Sequence, residues 1–233
     1  MRFTQNVHSS WIPLMYSLAY EKPMVDFLDS LKEKSIQPAT KDIFRVFQMP
    51  VSDIKVVILG QEPYPIPGAA NGLAYGVKEP YSWSKLLTKI RREVLETVAW
   101  TVERSGDWGS LEKWNNQGVF LLNLALTVET NKGGSHAKNW ENFAKSVISF
   151  ISKENPCIWL MWGNRIKHYK GRIFNPFIVE NYTRETIEEI PIDPELNYII
   201  EGENPVMGEN FSNDGFYKTN RILSKKSINI INW

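Results

Sequence analysis

The residues of this chain best suited to chemistry stand at the ends of apolar runs. Gln61 and Glu62 follow Lys55-Val56-Val57-Ile58-Leu59-Gly60, and Asn123 interrupts Val119-Phe120-Leu121-Leu122-Asn123-Leu124-Ala125-Leu126. A carboxylate so placed can act as a base on water or stabilise a developing cation. A strand-end amide donates and accepts at once, which suits it to the edge of a nucleobase or another planar heterocycle. An aromatic such as Tyr75 can stack on a planar ring. An asparagine inside a buried run must also have its amide satisfied, by a core hydrogen bond or by a ligand. Other chemistries lack their residues. The three histidines, His8, His136 and His168, are scattered, and Cys157 is the single cysteine, so no ligand pair is spaced for a metal. There is no P-loop, no G-x-G-x-x-G fingerprint and no G-x-S-x-G elbow.

The elements that must position these groups can be read from periodicity. The β-branched run before Gly60 predicts a strand buried on both faces, as in a parallel sheet. Ligands of open α/β sheets bind beyond the C-terminal ends of such strands, which is where Glu62 falls. Buried strands are also predicted over 119–126, 157–163 and 198–200, with a short one over 73–77. Apolar spacing predicts one or two helices over 10–31, interrupted by Pro13 and Pro23. A long amphipathic helix is predicted over 82–102, with Leu86, Leu87, Ile90, Val94, Leu95 and Val98 on one stripe and Ser82 or Ser84 as cap. Further helices are predicted over 140–151, after the Gly-Gly-Ser-His turn that starts at Gly133, and from Phe216 onward. Residues 43–49 suit a short helical or extended piece, and the acidic stretch 175–195 yields no assignment. Helices alternating with four buried strands predict an α/β fold, a three-layer α/β/α sandwich around a central, mostly parallel four-stranded sheet. Without repeats or a linker, residues 1–233 read as one domain. Function does not follow from that architecture alone.

Composition narrows the class. Apolar residues make up 42% of the chain and aromatics 12%, which are globular values. Nine tryptophans imply a heavily packed aromatic core or faces that stack on a ligand. The 27 basic and 26 acidic residues leave a net charge of +1, which neither demands nor excludes a nucleic-acid partner. A lone cysteine within an apolar run points to a reducing interior. No long apolar span and no basic-then-apolar leader is present, so the expectation is a cytoplasmic protein with no membrane partner, no metal and no cofactor, acting as a monomer.

Several motifs in series resemble one family. Gly60-Gln61-Glu62-Pro63-Tyr64 resembles the water-activating G-Q-D-P-Y motif of family 1 uracil-DNA glycosylases. Gly72-Leu73-Ala74-Tyr75-Gly76-Val77 resembles their G-L-C-F-S-V segment. Gly118 to Asn123, then Leu126-Thr127-Val128, Ser135-His136 and Trp140-Glu141, resemble their G-V-L-L-L-N…L-T-V…S-H…W-E stretch, and Trp162-Gly163 and Lys218-Thr219-Asn220 match two later landmarks. The resemblance implies a DNA glycosylase that flips a pyrimidine, most simply uracil, out of DNA and hydrolyses its N-glycosidic bond through an oxocarbenium-like state. It implies that Glu62 activates water, Gln61 frames the base, Tyr64 blocks the C5 position against thymine's methyl group, Tyr75 stacks and Asn123 reads the uracil edge. Ser135 resembles a backbone-phosphate contact, and Ser82, His136, Pro205 and Lys218 fall in segments that approach DNA.

The departures surround the implied pocket. Glu62 is one methylene longer than the family's aspartate, and Pro65 replaces a histidine. The H-P-S-P-L loop is matched by Asn204-Pro205-Val206-Met207-Gly208, so Asn204 stands where a histidine stabilises the leaving base. Losing one such electrostatic contact costs about 10²–10³ in rate. The wedge that fills the duplex falls to Met207 or Phe211. These changes leave two alternatives open beside uracil excision. One is a glycosylase for a modified pyrimidine, such as hypermodified cytosine in phage DNA in antiviral defence. The other is a weakly catalytic DNA-binding module.

Overall fold

The computed structural model describes residues 6–19, 22–79, 85–97, 109–205 and 214–233. Among these residues, strands β2 (Val56–Gly60), β3 (Val119–Asn123), β5 (Ile158–Trp162), β6 (Pro176–Ile178) and β7 (Asn197–Gly202) form a five-stranded sheet in the order β3-β2-β5-β7-β6. Every pairing in it is parallel. Strands β1 (Ile36–Gln37) and β4 (Val128–Glu129) make a separate antiparallel ribbon.

The sequence of β2, β3 and β5 explains their place. Each is buried at all five residues, so each reads as a continuous apolar run rather than an alternation. The chain runs from β2 outward to β3, then back across β2 to β5. Parallel crossovers are right-handed, so these two opposite moves put their helices on opposite faces. Helix α3 (Lys85–Thr97) lies in the first connection and α5 (Ala137–Glu154) in the second, with the short α4 (Glu112–Asn115) just before β3. Helices α1 (Ile12–Ala19) and α2 (Lys22–Ser30) join the α5 layer, and α7 (Gly215–Lys225) joins α3.

The aromatic residues divide in the same way. Phe120 is in register with Val57, and Val57 with Trp159, so Phe120 and Trp162 point to opposite faces. Phe120 packs on Trp11 and Phe47, and Phe47 on Phe143 of α5. Trp162 packs on Phe216 of α7, which also meets Trp114 and Trp233. Trp11, Trp140, Trp159, Trp162 and Trp233 are fully buried, so these five tryptophans are core rather than stacking platforms.

Four expectations need correction. The sheet has five strands rather than four, because residues in the unassigned acidic stretch pair with β7 as β6. That strand is three residues long and opens with Pro176, which only an edge position tolerates, so it carries no readable period. Residues 73–77 do not form a strand beyond the single bridge Ala70–Val77. The Asn71 side chain accepts from the Leu73 N–H (3.0 Å) and donates to the Ser110 carbonyl (2.8 Å), closing a local turn that competes with extension. Strand β3 ends at Asn123 rather than running to residue 126, which leaves the amide at a strand terminus. The helix predicted over 82–102 is present over Lys85–Thr97 with Leu87, Ile90 and Val94 buried, but Leu95 faces solvent. Its proposed caps and Val98 lie outside the described residues. No described helix is long and apolar enough to cross a membrane.

One buried side chain ties the β5–β7 half of the sheet to α5. Asn197 Oδ1 accepts from the Cys157 N–H (3.1 Å) and from Trp159 Nε1 (2.8 Å), while its Nδ2 donates to the carbonyls of Ser152 (2.9 Å) and Phe174 (2.8 Å). Asn197→Ala would leave these buried partners unsatisfied, so unfolding free energy should fall by about 3 kcal/mol. Denaturant titration at unchanged slope reads this directly; a loss below about 1 kcal/mol would contradict the assignment.

Candidate active site

The C-terminal ends of β2 and β3 converge on a single glycine. Gly60 and Asn123 are direct partners in the parallel register, so their side-chain directions share a face. A Cβ on Gly60 would stand 2.4 Å from Asn123 Oδ1 and 2.9 Å from the Cβ of Ala74. Only glycine there leaves room for the amide. Asn123 is 5% exposed, and its Oδ1 is buried without a hydrogen-bond partner. Such an acceptor is costly unless a ligand completes it.

The turn after Asn71 closes this pocket. The Ala74 N–H donates to the Leu121 carbonyl (2.9 Å), docking the turn on the outer edge of β3. Tyr75 then adopts φ +64°, a left-handed conformation that costs a bulky residue about 1–2 kcal/mol. Its hydroxyl donates to the Leu59 carbonyl (3.1 Å). That carbonyl needs a donor because β2 pairs with β5 only as far as Ile58, whereas its pairing with β3 reaches Gly60. The Tyr75 ring lies 5.5 Å from Trp162, centroid to centroid. Burial, with Tyr64 beside it, pushes the Tyr75 phenol up, so it stays a neutral donor.

Glu62 faces a second space. The ladder continues past the strands through Leu124 N–H to the Gly60 carbonyl (2.9 Å) and Ala125 N–H to the Gln61 carbonyl (3.0 Å). The chain then turns, and both Glu62 carboxylate oxygens accept from the Gly134 N–H, at 2.9 and 2.8 Å. They border a cleft of about 360 Å³ whose walls include Gln61, Gly134, Lys138, Arg165 and Tyr169 but not Asn123, Tyr64 or Tyr75. A larger cavity, about 480 Å³, opens at the opposite end of the sheet, beside Lys55 and Cys157 and away from every candidate group. The cleft therefore sets two carboxylates, Glu62 and Glu141, among two cations, Lys138 and Arg165, while the Asn123 amide lies outside its walls.

The remaining candidates divide sharply. Asn204 follows β7 and packs against Gly163, where a Cβ would stand 2.7 Å from the Asn204 Cβ. The left-handed Gly163 (φ +85°) thus lets Asn204 approach the end of β5. Pro205 is buried next to it, and Lys218 is half-buried on α7. Ser135 is exposed, and its Oγ accepts from the Glu129 N–H (2.8 Å). His136 does not reach the surface. It is 2% exposed, bonded through Nδ1 to Thr127 (2.9 Å), while Trp140 Nε1 donates to the same hydroxyl (2.7 Å). As a DNA contact it is corrected to a buried support for the 129–137 loop. Ser82, Met207 and Phe211 lie outside the described residues. Gly134, Lys138 and Arg165 were not singled out from sequence; the Gly133-Gly134 pair was the one available signal. Among the described residues no cluster of three His, Cys, Asp or Glu side chains could hold a metal.

No family model matches the chain. The uracil-DNA glycosylase of Azobacteroides pseudotrichonymphae is 33% identical to it, over 97% of this chain and 98% of that protein. The uracil-DNA glycosylase of Geobacillus kaustophilus is also 33% identical, over 97% and 93%. The chain belongs to the uracil-DNA glycosylase family. Among solved structures, that of mimivirus uracil-DNA glycosylase superposes with a TM-score of 0.80 at 24% identity, covering all of this chain and 89% of that one. At that identity the likeness concerns the fold, and it agrees with the layered parallel sheet. Within the family frame, the strand-end groups Gln61, Glu62 and Asn123 fall at the C-terminal edge of the sheet, at the switch point where β3 and β5 flank β2.

The His136 site sets a pH dependence. Burial, with Lys34 nearby, holds its imidazole below the ordinary value, partly countered by Glu129. The unfolded chain takes up this proton near pH 6.5 while the folded one resists, so the unfolded state binds more protons in that window. Stability should therefore fall as pH drops from about 7 through 6.5 and level off below the folded value. Melting curves against pH should show that slope, and His136→Gln should flatten it.

Proposed function

We propose that this protein excises uracil from DNA. The observation that carries the reading is the Asn123 amide, buried over Gly60 with an unshared Oδ1. Uracil presents an N3–H donor beside an O4 acceptor, and one amide fixed in place can accept from the first and donate to the second. Cytosine presents the reverse pattern. Tyr75 offers its ring to the base, and Tyr64, by the resemblance of its motif, blocks the C5 position against a methyl group, which disfavours thymine.

In this reading the flipped nucleotide reaches from Asn123 to the cleft beside Glu62. Its base enters beside Asn123, which leaves the sugar near Gln61 and Glu62. There the carboxylate stabilises the oxocarbenium character of the sugar and accepts a proton from water as it adds to C1′. The C1′–N1 bond breaks, its electron pair leaves with the base, and water supplies the new bond, so no cofactor enters the balance. Lys138 and Arg165, on the cleft rim, offer positive charge to the flanking phosphates, which positions the strand without reading its sequence.

Release of abasic sites should be measured on DNA containing uracil, thymine, cytosine or hypermodified cytosine. Uracil should react well above the others. Activity confined to the modified base would sink the uracil reading, and inactivity on all four would leave a DNA-binding module. Glu62→Gln should lower kcat by about 10²–10³. Asn123→Asp should shrink the uracil-over-cytosine ratio by at least about tenfold, because the edge pattern presented to the base changes.

A further inference from the structure

We propose that the Gly133-Gly134 turn is the positioning element of the Glu62 carboxylate, fitted to the length of a glutamate. The inference rests on Glu62 acting as proposed above, and goes further by assigning the group that aims it. One N–H, that of Gly134, serves both carboxylate oxygens at 2.9 and 2.8 Å, which holds the head of the side chain in position and aims its axis at the turn. The preceding residue leaves the space this requires. A Cβ on Gly133 would stand 3.3 Å from Glu62 Oε1, tight enough that the carboxylate must shift by a few tenths of an ångström. Gly134 itself has φ +76°, which aims its N–H across the turn at little conformational cost.

The turn is anchored well enough to serve as a reference. The Lys132 N–H donates to the Glu129 carbonyl (3.0 Å), and the Glu129 N–H donates to Ser135 Oγ (2.8 Å). The Asn131 N–H donates to the Pro65 carbonyl (2.8 Å), tying the loop to the same turn that carries Glu62. Beneath it, His136 and Trp140 meet on Thr127 in the core. A glutamate has one more rotor to immobilise than an aspartate, and an anchored N–H removes that freedom before substrate arrives. An aspartate at 62 would be shorter by one C–C bond and would not span the gap to Gly134. Length of side chain and glycine turn are therefore a matched pair.

A double-mutant cycle tests the match. Gly133→Ala, Glu62→Asp and the combination are compared by single-turnover release of uracil from single-stranded DNA. Gly133→Ala should lower kcat about tenfold with little change in KM, since it misplaces a reacting group rather than a binding one. In the Glu62→Asp background the same substitution should change kcat by less than about twofold, because the shorter carboxylate no longer meets the turn. Equal effects in both backgrounds would overturn the proposal. A readout independent of catalysis is the Gly134 amide resonance in 15N-labelled protein. It should move upfield in Glu62→Asp and in Gly133→Ala; a resonance that stays in place in both would overturn the contact. A wild-type protein that shows the resonance shifts but releases no uracil would support the contact and reject the functional reading.

Discussion

The pairing of Gly60 with Asn123 is the constraint on which the site depends. Parallel register puts their side-chain directions on one face, and the missing Cβ at 60 converts that proximity into room for an amide. A one-residue slip of β3 against β2 would send Asn123 to the α5 side and bring an apolar leucine over Gly60. Register is in turn held by burial of both strands on both faces, since every residue from Val56 to Gly60 and from Val119 to Asn123 is buried. The chemistry at the top of the sheet thus inherits its precision from hydrophobic packing below it.

The same logic extends to the loops. Tyr75 is held in a left-handed conformation because two demands meet there. Its N-terminal neighbour Ala74 must cap the β3 edge at Leu121, and its own hydroxyl must satisfy the Leu59 carbonyl that β5 leaves open. A strained backbone at a pocket wall is tolerated when the surroundings over-determine it. On the other side, the buried Thr127 hydroxyl joins His136 and Trp140, fixing the base of the loop whose tip carries Gly134. One aromatic face of the sheet supports the base-side wall and the other supports the carboxylate side.

How much of this was legible in the sequence follows from the range of each determinant. Strands β2, β3 and β5 were readable because burial on both faces forces unbroken apolar runs, and the glutamate after Gly60 was readable as a strand-end group. Strand β6 was not, since a three-residue edge strand needs only a neighbour, and that neighbour, β7, is distant in sequence. The failed strand at 73–77 has a local cause: the apolar residues there suit extension, but Asn71 offers its own side chain to the Leu73 N–H. His136 was read from a motif as facing DNA, whereas its burial is set by Phe27 from α2, whose ring meets it edge-on at 5.2 Å. No pattern local to residue 136 encodes that helix.

Of the residues that match the family's motifs, Asn123 and Tyr64 are kept, whereas Glu62, Pro65, Tyr75 and Asn204 depart. At position 62 the motif's negative charge is kept on a longer arm. A longer carboxylate is accommodated when the opposing backbone recedes by the same amount, and a turn of two glycines is the smallest structure that can do so. The Pro65 carbonyl accepts from the Asn131 N–H and so joins the two loops involved. The longer arm at 62 thus meets a backbone N–H more than seventy residues further along the chain, a match between positions that no local pattern would reveal.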